Sequence, residues 1–404
     1  MEIITPTKAS SSNWPLTRWD IAGAFGDIGI LFPIAIALIS LNHMNPTAVF
    51  LTAGMAYILS GAYFKIPMAV QPFKAVAAIA LALQLPPSSI ASAGLLMGIL
   101  LTIIGFTNLV TPLARLFTLP IIRGIQLGLG LILLREGLRL VSGSPAAPMN
   151  GVNISAWLVA ITGVAILLAL QGSRRFPAAL VLLMAGVAFG VLANWHALPS
   201  PGWGPVPLGI LHPRAAEMKS VLLALVLPQF ALTFGNSIVA TENTAHLLYG
   251  PQARRVTVKA LSLSIGLMNL GSGMLISAPT CHGSGGITAH YRFGARTQKS
   301  NYVIGVACLL FALFGEGAVG ILHLIPTAVL GVFLMYVGVQ HAALIRDIVT
   351  RRVFILIAVC VGVISLWKTN LTYGFAVGFL LEGVFWLVAR FHKAAHRDGE
   401  NPAG

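Results

Sequence analysis

The chain has 404 residues, of which 57% are hydrophobic and only 9% charged. Soluble domains carry about 25% charged residues, and a globule of this size has too little interior to hide so much apolar surface. Composition therefore excludes a soluble domain, and the apolar excess excludes disorder; an all-α polytopic membrane protein remains. The net charge of +14 does not mark a nucleic-acid binder, because the basic residues recur in short gaps between apolar runs instead of forming one stripe. Cys281, Cys308 and Cys360 are scattered and form no C-x-x-C pair. Met1–Asn13 is polar and lacks the apolar core of a cleavable signal.

The apolar runs follow in order. A polar segment, 1–18, precedes a first run at 19–41 carrying Ala24-Phe25-Gly26-Asp27. A second run spans 47–64. The third, 70–84, is too short to cross a bilayer, which needs about 20 helical residues; Ile66–Pro72, with two prolines, leads into it. Runs at 88–110, 117–141, 154–170 and 176–193 complete a first half. Asn194–Met218, rich in Pro, Gly and Trp, reads as an extracellular linker. The second half opens at 219–241 with Thr233-Phe234-Gly235-Asn236 and continues at 257–276. It then reaches another short run, 281–291, after Ser277–Thr280. Runs at 299–315, 318–340, 352–367 and 370–390 follow, and a polar tail, 391–404, closes the chain.

These are about fourteen segments. With the N-terminus inside, nineteen of the 25 basic residues are cytoplasmic, Lys8, Arg115, Arg174, Arg175, Arg390, Lys393 and Arg397 among them. That asymmetry predicts cytoplasmic termini. His43 and His323 fall on the exterior side.

The halves resemble each other. Phe25-Gly26-Asp27 aligns with Phe234-Gly235-Asn236, and the same offset sets Gln71 and Pro72 on Thr280 and Cys281. Leu119-Pro120 matches Ile325-Pro326 at a similar offset. Seven segments per half invert the second copy. Inverted repeats with broken helices at corresponding positions are a transporter signature. Two half-helices, segments 3 and 10, are then expected to meet near the membrane midplane.

A helix N-terminus offers unpaired N–H groups and about half a positive charge, a ready anion site. Pro72 suits a first helical position, and Thr280 a side-chain cap ahead of the Gly283–Gly286 cluster. Lys74 lies in the first turn of its half-helix, where a cation opposes the dipole; a bound oxyanion reverses that cost. Lys74 also reads as a member of a structural ion pair with Asp27, and both readings can hold together. His282 reads either as a ligand or as a satisfied core histidine. Gly124-x-x-x-Gly128 reads as a helix-packing motif. No Walker sequence, nucleophile motif or metal-ligand spacing occurs, so neither enzyme activity nor a cofactor or metal is expected.

The stretches Phe25–Pro33 (FGDIGILFP), Ile66–Ala78 (IPMAVQPFKAVAA), Leu227–Ser237 (LPQFALTFGNS) and Pro279–Thr297 (PTCHGSGGITAHYRFGART) resemble the molybdate transporter family of the sulfate-permease superfamily. The resemblance implies a seven-plus-seven inverted-repeat fold. It implies a core domain (19–111 and 219–315) moving against a gate domain (112–193 and 316–390), without the C-terminal regulatory domain of sulfate permeases. It implies molybdate as cargo, with tungstate or sulfate as close relatives. Carried over, the binding residues are Gln71, Pro72, Phe73 and Lys74; Thr280, Cys281, His282, Gly283 and Ser284; Gly26, Asp27 and Gly29; and Gln229, Thr233 and Asn236. A multi-pass protein of the inner or plasma membrane is expected, and the fold is compatible with a homodimer.

Backbone N–H groups with Gln, Asn, Thr and Lys donors suit an ion that only accepts hydrogen bonds. Asp27 beside a dianion would repel it, so Asp27 is expected to be paired with Lys74 or protonated. Importing a dianion against the membrane potential costs about 4.6 kcal/mol per 100 mV, which co-transported protons could offset. Asp27, Glu242 and Glu382 are the candidate carriers, with a solvated helix-end charge as the other reading of Glu242 and a buried neutral carboxyl as that of Glu382. An anion channel and a nucleobase-type proton symporter on the same scaffold are the alternatives.

Overall fold

In a computed structural model of the protein, the residues described are 16–107, 109, 118–144, 147–149, 152–171, 173, 178–195, 202, 204–315, 317, 320 and 324–399. Residues 1–15 of the N-terminal segment, Arg115, Arg174, Arg175, His323 and 400–404 lie outside them, as do the side chains of Arg390, Lys393 and Arg397.

Thr17 opens α1 (Arg18–Asn42) through a reciprocal capping box with Asp20. The helix bends by 43° between Arg18–Asp27 and Leu31–Asn42, with Asp27 at the bend. Asn45 caps α2 (Pro46–Phe64), whose first residue is a proline. An extended lead-in then enters β1 (Gln71–Pro72) and the half-helix α3 (Lys74–Leu83). The first half continues with α4 (Pro87–Phe106), α5 (Leu119–Gly143), a hairpin of β2 (Ala147–Met149) and β3 (Val152–Ile154), α6 (Ala156–Ala169) and α7 (Ala178–Ala193).

The second half begins with α8, a helical run over Ala215–Arg255, longer than the 219–241 expected. It carries π-helical turns at Leu222–Val226 and Thr233–Val239 and ends in a 3-10 turn. Then come α9 (Val258–Met274), β4 (Thr280–Cys281), the half-helix α10 (Ser284–Arg292), α11 (Lys299–Leu313), α12 (Thr327–Ala342), α13 (Arg352–Lys368) and α14 (Leu371–Gly399).

Burial is inside-out relative to a soluble protein. In α6 the small residues Ala156, Ala160 and Gly163 face inward with Leu167, while Leu158, Ile161 and Leu168 are exposed. Small residues at helix contacts and large apolar ones outside are the pattern that lipid imposes. In contrast, α3 is apolar and buried from Ala75 through Ala82; a helix sheathed by protein on all sides touches no lipid. At about 1.5 Å per residue neither α3, with 10 residues, nor α10, with 9, spans more than half of an apolar core of about 30 Å. Among the described residues, four helices are long and apolar enough to cross on their own: α2, α4, α8 and Thr327–Ile348.

α4 packs along α9, α2 along α11, and α5 along α12. The α5–α12 crossing is nearly backbone to backbone. A Cβ on Gly130 would sit 2.5 Å from the Gly338 carbonyl oxygen, and one on Gly137 2.5 Å from that of Gly331. Gly124 and Gly128 press instead on Val361 and Ser365 of α13, the packing role expected of that motif.

Candidate binding site

The lead-ins to the two half-helices meet as a two-rung antiparallel ladder, Gln71 opposite Cys281 and Pro72 opposite Thr280. The Phe73 amide extends it by donating to the Pro279 carbonyl at 2.8 Å. Extended backbone inside a protein needs partners for its N–H and C=O groups, and so short a ladder leaves several over. Two buried asparagines take them. Asn301 of α11 accepts from the Met68 N–H (2.8 Å) and donates to the Met68 carbonyl (2.7 Å). Asn269 of α9 does the same for Thr280, at 2.9 and 2.6 Å.

The ladder sets the starts of α3 and α10 side by side. Phe73 occupies the N-cap of α3 without a side-chain cap, and Pro72 lies in the ladder, not in the first helical turn. The cap comes from across the protein: Gln229 Oε1 of α8 accepts from the Ala75 N–H at 2.9 Å and from Val76 at 3.4 Å. Its amide nitrogen donates to Thr233 Oγ1 (2.9 Å). At α10 the N-cap is Gly283, not Thr280, because Asn269 holds the Thr280 backbone in the ladder. Ser284 donates to Asn236 Oδ1 at 2.9 Å, fastening α10 to the π-helical turn of α8.

Beside these ends lies a small cavity, partly open to solvent. The ladder and α3 supply Gln71, Cys281 and Lys74; α8 supplies Gln229, Leu232, Asn236 and Ser237. Successive residues 236 and 237 both reach the cavity from the wide π turn, a geometry common at functional sites. Two further polar groups arrive from helices outside this cluster, Gln126 on α5 and His341 on α12. Lys74 is the cation of the lining, and no carboxylate is among the lining residues described.

Asp27 is fully buried and takes a different set of partners from the one expected. Gln71 Nε2 donates to Oδ1 at 2.5 Å, the Val70 N–H donates to Oδ2 at 3.2 Å, and the Tyr57 hydroxyl donates to Oδ2. His290 Nε2 of α10 stands 3.7 Å from Oδ2. Among the described residues Lys74 makes no salt bridge, so the Lys74–Asp27 ion pair is not formed.

The remaining expected residues divide. Phe73, Thr233 and Thr280 are buried around the cavity without lining it. His282 is the satisfied core histidine of its bland reading: its ring nitrogens engage the Ala69 carbonyl and Ser264 Oγ, both at 2.8 Å. Gly26 lies against Phe293 and Ala289, and Gly29 against Ala179, as packing positions. Glu242 accepts from the Val258 N–H (3.1 Å) at the start of α9. Glu382 on α14 accepts from Thr118. Both carboxylates lie outside the cavity lining.

A sequence profile described as "Molybdate transporter of MFS superfamily" matches residues 20–133 and 221–340, more than half of the chain and every cavity-lining residue except His341. The chain belongs to this molybdate transporter family. Molybdate transporter 2 and Molybdate transporter 1 of Arabidopsis thaliana are 27% and 28% identical to it, over 90% and 91% of this chain and 86% and 88% of theirs. Molybdate transporter 1 of Chlamydomonas reinhardtii is 26% identical over 91% of both chains. Among solved structures, SLC26A9 superposes with a TM-score of 0.66 at 16% identity, covering 91% of this chain and 64% of that one. The transmembrane domain of the cyanobacterial bicarbonate transporter BicA gives 0.63 at 18%, covering 89% and 97%. This family member therefore shares the fold of SLC26A9 and of the BicA transmembrane domain, although the description of its profile names the MFS superfamily.

Proposed function

We propose that the protein is a secondary transporter that imports molybdate by alternating access, holding the oxyanion in the cavity between the N-terminal ends of α3 and α10. The observation that carries this reading is the antiparallel ladder Gln71–Pro72/Thr280–Cys281. It joins two half-helix starts beside Lys74, so two positive dipole ends and one ammonium converge on a lining without a carboxylate. The named molybdate transporters among its relatives select the oxyanion. Since molybdate and sulfate are both dianions, their discrimination rests on cavity size.

The reading takes the chain as fourteen crossing or half-crossing segments in two inverted repeats, with termini in the cytoplasm. The ladder register supports the repeat. Mapping Gln71 onto Thr280 and Pro72 onto Cys281 turns each rung into the other, as a two-fold axis through the ladder requires. The α4–α9 and α2–α11 contacts exchange under the same operation. The moving core comprises α1–α4 and α8–α11; the gate comprises α5–α7 and α12–α14 and presents Gln126 and His341 to the cargo. A nucleobase symporter is disfavoured by the lack of a lining carboxylate.

The test is thermal melting of the purified protein with molybdate, tungstate, sulfate or uracil, followed by uptake into proteoliposomes. A ligand that binds only the folded state raises the melting temperature. Stabilisation by molybdate and tungstate with accumulation above the external level supports the reading. Stabilisation by uracil alone would overturn the substrate, and molybdate flux without accumulation would make the protein a channel.

A further inference from the structure

Lys74 and the two helix ends together offer about two positive charges to a dianion, but Asp27 stands immediately behind the lining and opposes them. Gln71 connects the two places. Its Nε2 donates to Asp27 Oδ1 at 2.5 Å while the same side chain lines the cavity. Whatever charge Asp27 carries is therefore felt by the anion through one intervening amide.

His290 stands beside Asp27, where a proton on its ring would offset that charge. It is fully buried on α10. Its Nδ1 lies 2.9 Å from the Gly23 carbonyl of α1, and a carbonyl only accepts, so Nδ1 carries a proton in every state. The other nitrogen, Nε2, has no hydrogen-bond partner and stands 3.7 Å from Asp27 Oδ2. In the neutral ring Nε2 would present a lone pair to a carboxylate oxygen with no donor between them. In the protonated ring it presents N–H⁺ to that oxygen. Asp27 itself accepts three hydrogen bonds, from Tyr57, Val70 and Gln71.

Several other titratable groups on the elements around α10 have partners of their own. On α1, Asp20 accepts from Thr17 and Thr297, and Arg18 lies over Trp19. On α8, Glu242 caps α9, His246 Nε2 lies 3.0 Å from the Val256 carbonyl and Tyr249 donates to the Ala295 carbonyl at 3.5 Å. Arg296 donates to the Tyr291 and Ala295 carbonyls. Tyr57 of α2 is bound to Asp27, and Lys74 of α3 faces the cavity.

We propose that Asp27 and His290 form a proton site coupled to the oxyanion site. This rests on the transport reading above and gives it a coupling ion. A proton taken from solution binds the Nε2 lone pair, and the pair changes from −1 to neutral. Only then do Lys74 and the two helix ends act on the dianion without an opposing charge behind Gln71. Both members belong to elements assigned to the moving core, so the proton travels with the cargo.

The experiment uses the full-length purified protein. Molybdate affinity is measured from pH 5.5 to 8.5, proton uptake on binding is read with an indicator in weak buffer, and the ligand-free histidine rings are followed by ¹⁵N NMR. The wild type is expected to lose affinity as pH rises, up to about tenfold per unit, and to take up about one proton per anion. His290→Gln, and independently Asp27→Asn, should flatten the profile and abolish the uptake. An unchanged slope and uptake in folded His290→Gln overturns the proton site while leaving molybdate binding intact. Failure of the wild type to bind molybdate at any pH overturns the transport reading instead. The NMR arm then decides the pair alone: a His290 ring that titrates at Nε2 with Nδ1 always protonated supports it, and a ring neutral throughout overturns it.

Discussion

The carbonyl oxygen of the Gln229 side chain lies 2.9 Å from the amide nitrogen of Ala75, so a residue from the second half of the chain caps a helix from the first. The half-helix α3 has no cap of its own. Gln229→Ala leaves the Ala75 and Val76 amides without that acceptor and is expected to cost about 1–3 kcal/mol, seen as a lower melting temperature. Gln229→Glu restores the acceptor but adds a charge to the cavity. It should melt near the wild type and lose at least tenfold in molybdate affinity. Equal affinity in Gln229→Glu would mean that the anion sits elsewhere.

Lys74 is the cation lining the cavity, and it is also a cation at a helix N-terminus, an unfavourable place without an anion. Lys74→Met keeps the aliphatic stem and removes the charge. The variant should fold with unchanged or slightly raised stability. Its molybdate affinity should fall about ten- to a hundredfold, the equivalent of a charged hydrogen bond worth about 1.5–3 kcal/mol. Binding titrations with tungstate as a second ligand check the result; retained affinity for both ions removes Lys74 from the site.

The glycines of α10 are unequal. A Cβ on Gly286 would lie 2.4 Å from Ala69 Cβ, 2.4 Å from Gln71 Nε2 and 2.6 Å from Asp27 Oδ1, whereas Gly285 has nothing within 4 Å. Gly286→Ala is therefore expected to cost about 1–3 kcal/mol and to abolish uptake by pushing Gln71 off Asp27. Gly285→Ala should cost far less. Melting curves of the two variants side by side test the close approach; similar losses would contradict it.

Glu242 is tied to the first amide of α9 and away from the cavity. Glu242→Gln keeps an oxygen acceptor there, and uptake with its full pH profile should survive. A shifted profile would return Glu242 to the proton carriers.

The half-helices were legible because their signals are local: prolines and glycines interrupt apolar runs, and Lys74, Gln71 and Asp27 are polar residues where polarity is expensive. Gln229 and Asn236 were legible as polar positions, but the capping and fastening roles they play were not. Asn269, Asn301 and His290 escaped notice because each acts on a partner that the fold brings near. Asn301 and Met68, for instance, stand 233 positions apart. Gln126 and His341 look like ordinary polar residues near helix ends until α5 and α12 are placed beside the cavity. Ser237 reaches the lining only because a π turn widens α8, and no residue pattern announces such a turn. The Lys74–Asp27 pairing failed for a related reason: a carboxylate chooses among all donors in reach, and no sequence pattern shows that Tyr57, Gln71 and His290 converge on Asp27.

The two-rung ladder has a mechanical corollary. Its rungs form one seam between the amino- and carboxy-terminal halves, and the proposed oxyanion site adjoins that seam. Prying the halves apart there would strip the ion of its amide donors at the moment of release to either face. In the proposed transport cycle, emptying and filling would then require the intact cradle to slide past its surroundings with the seam closed.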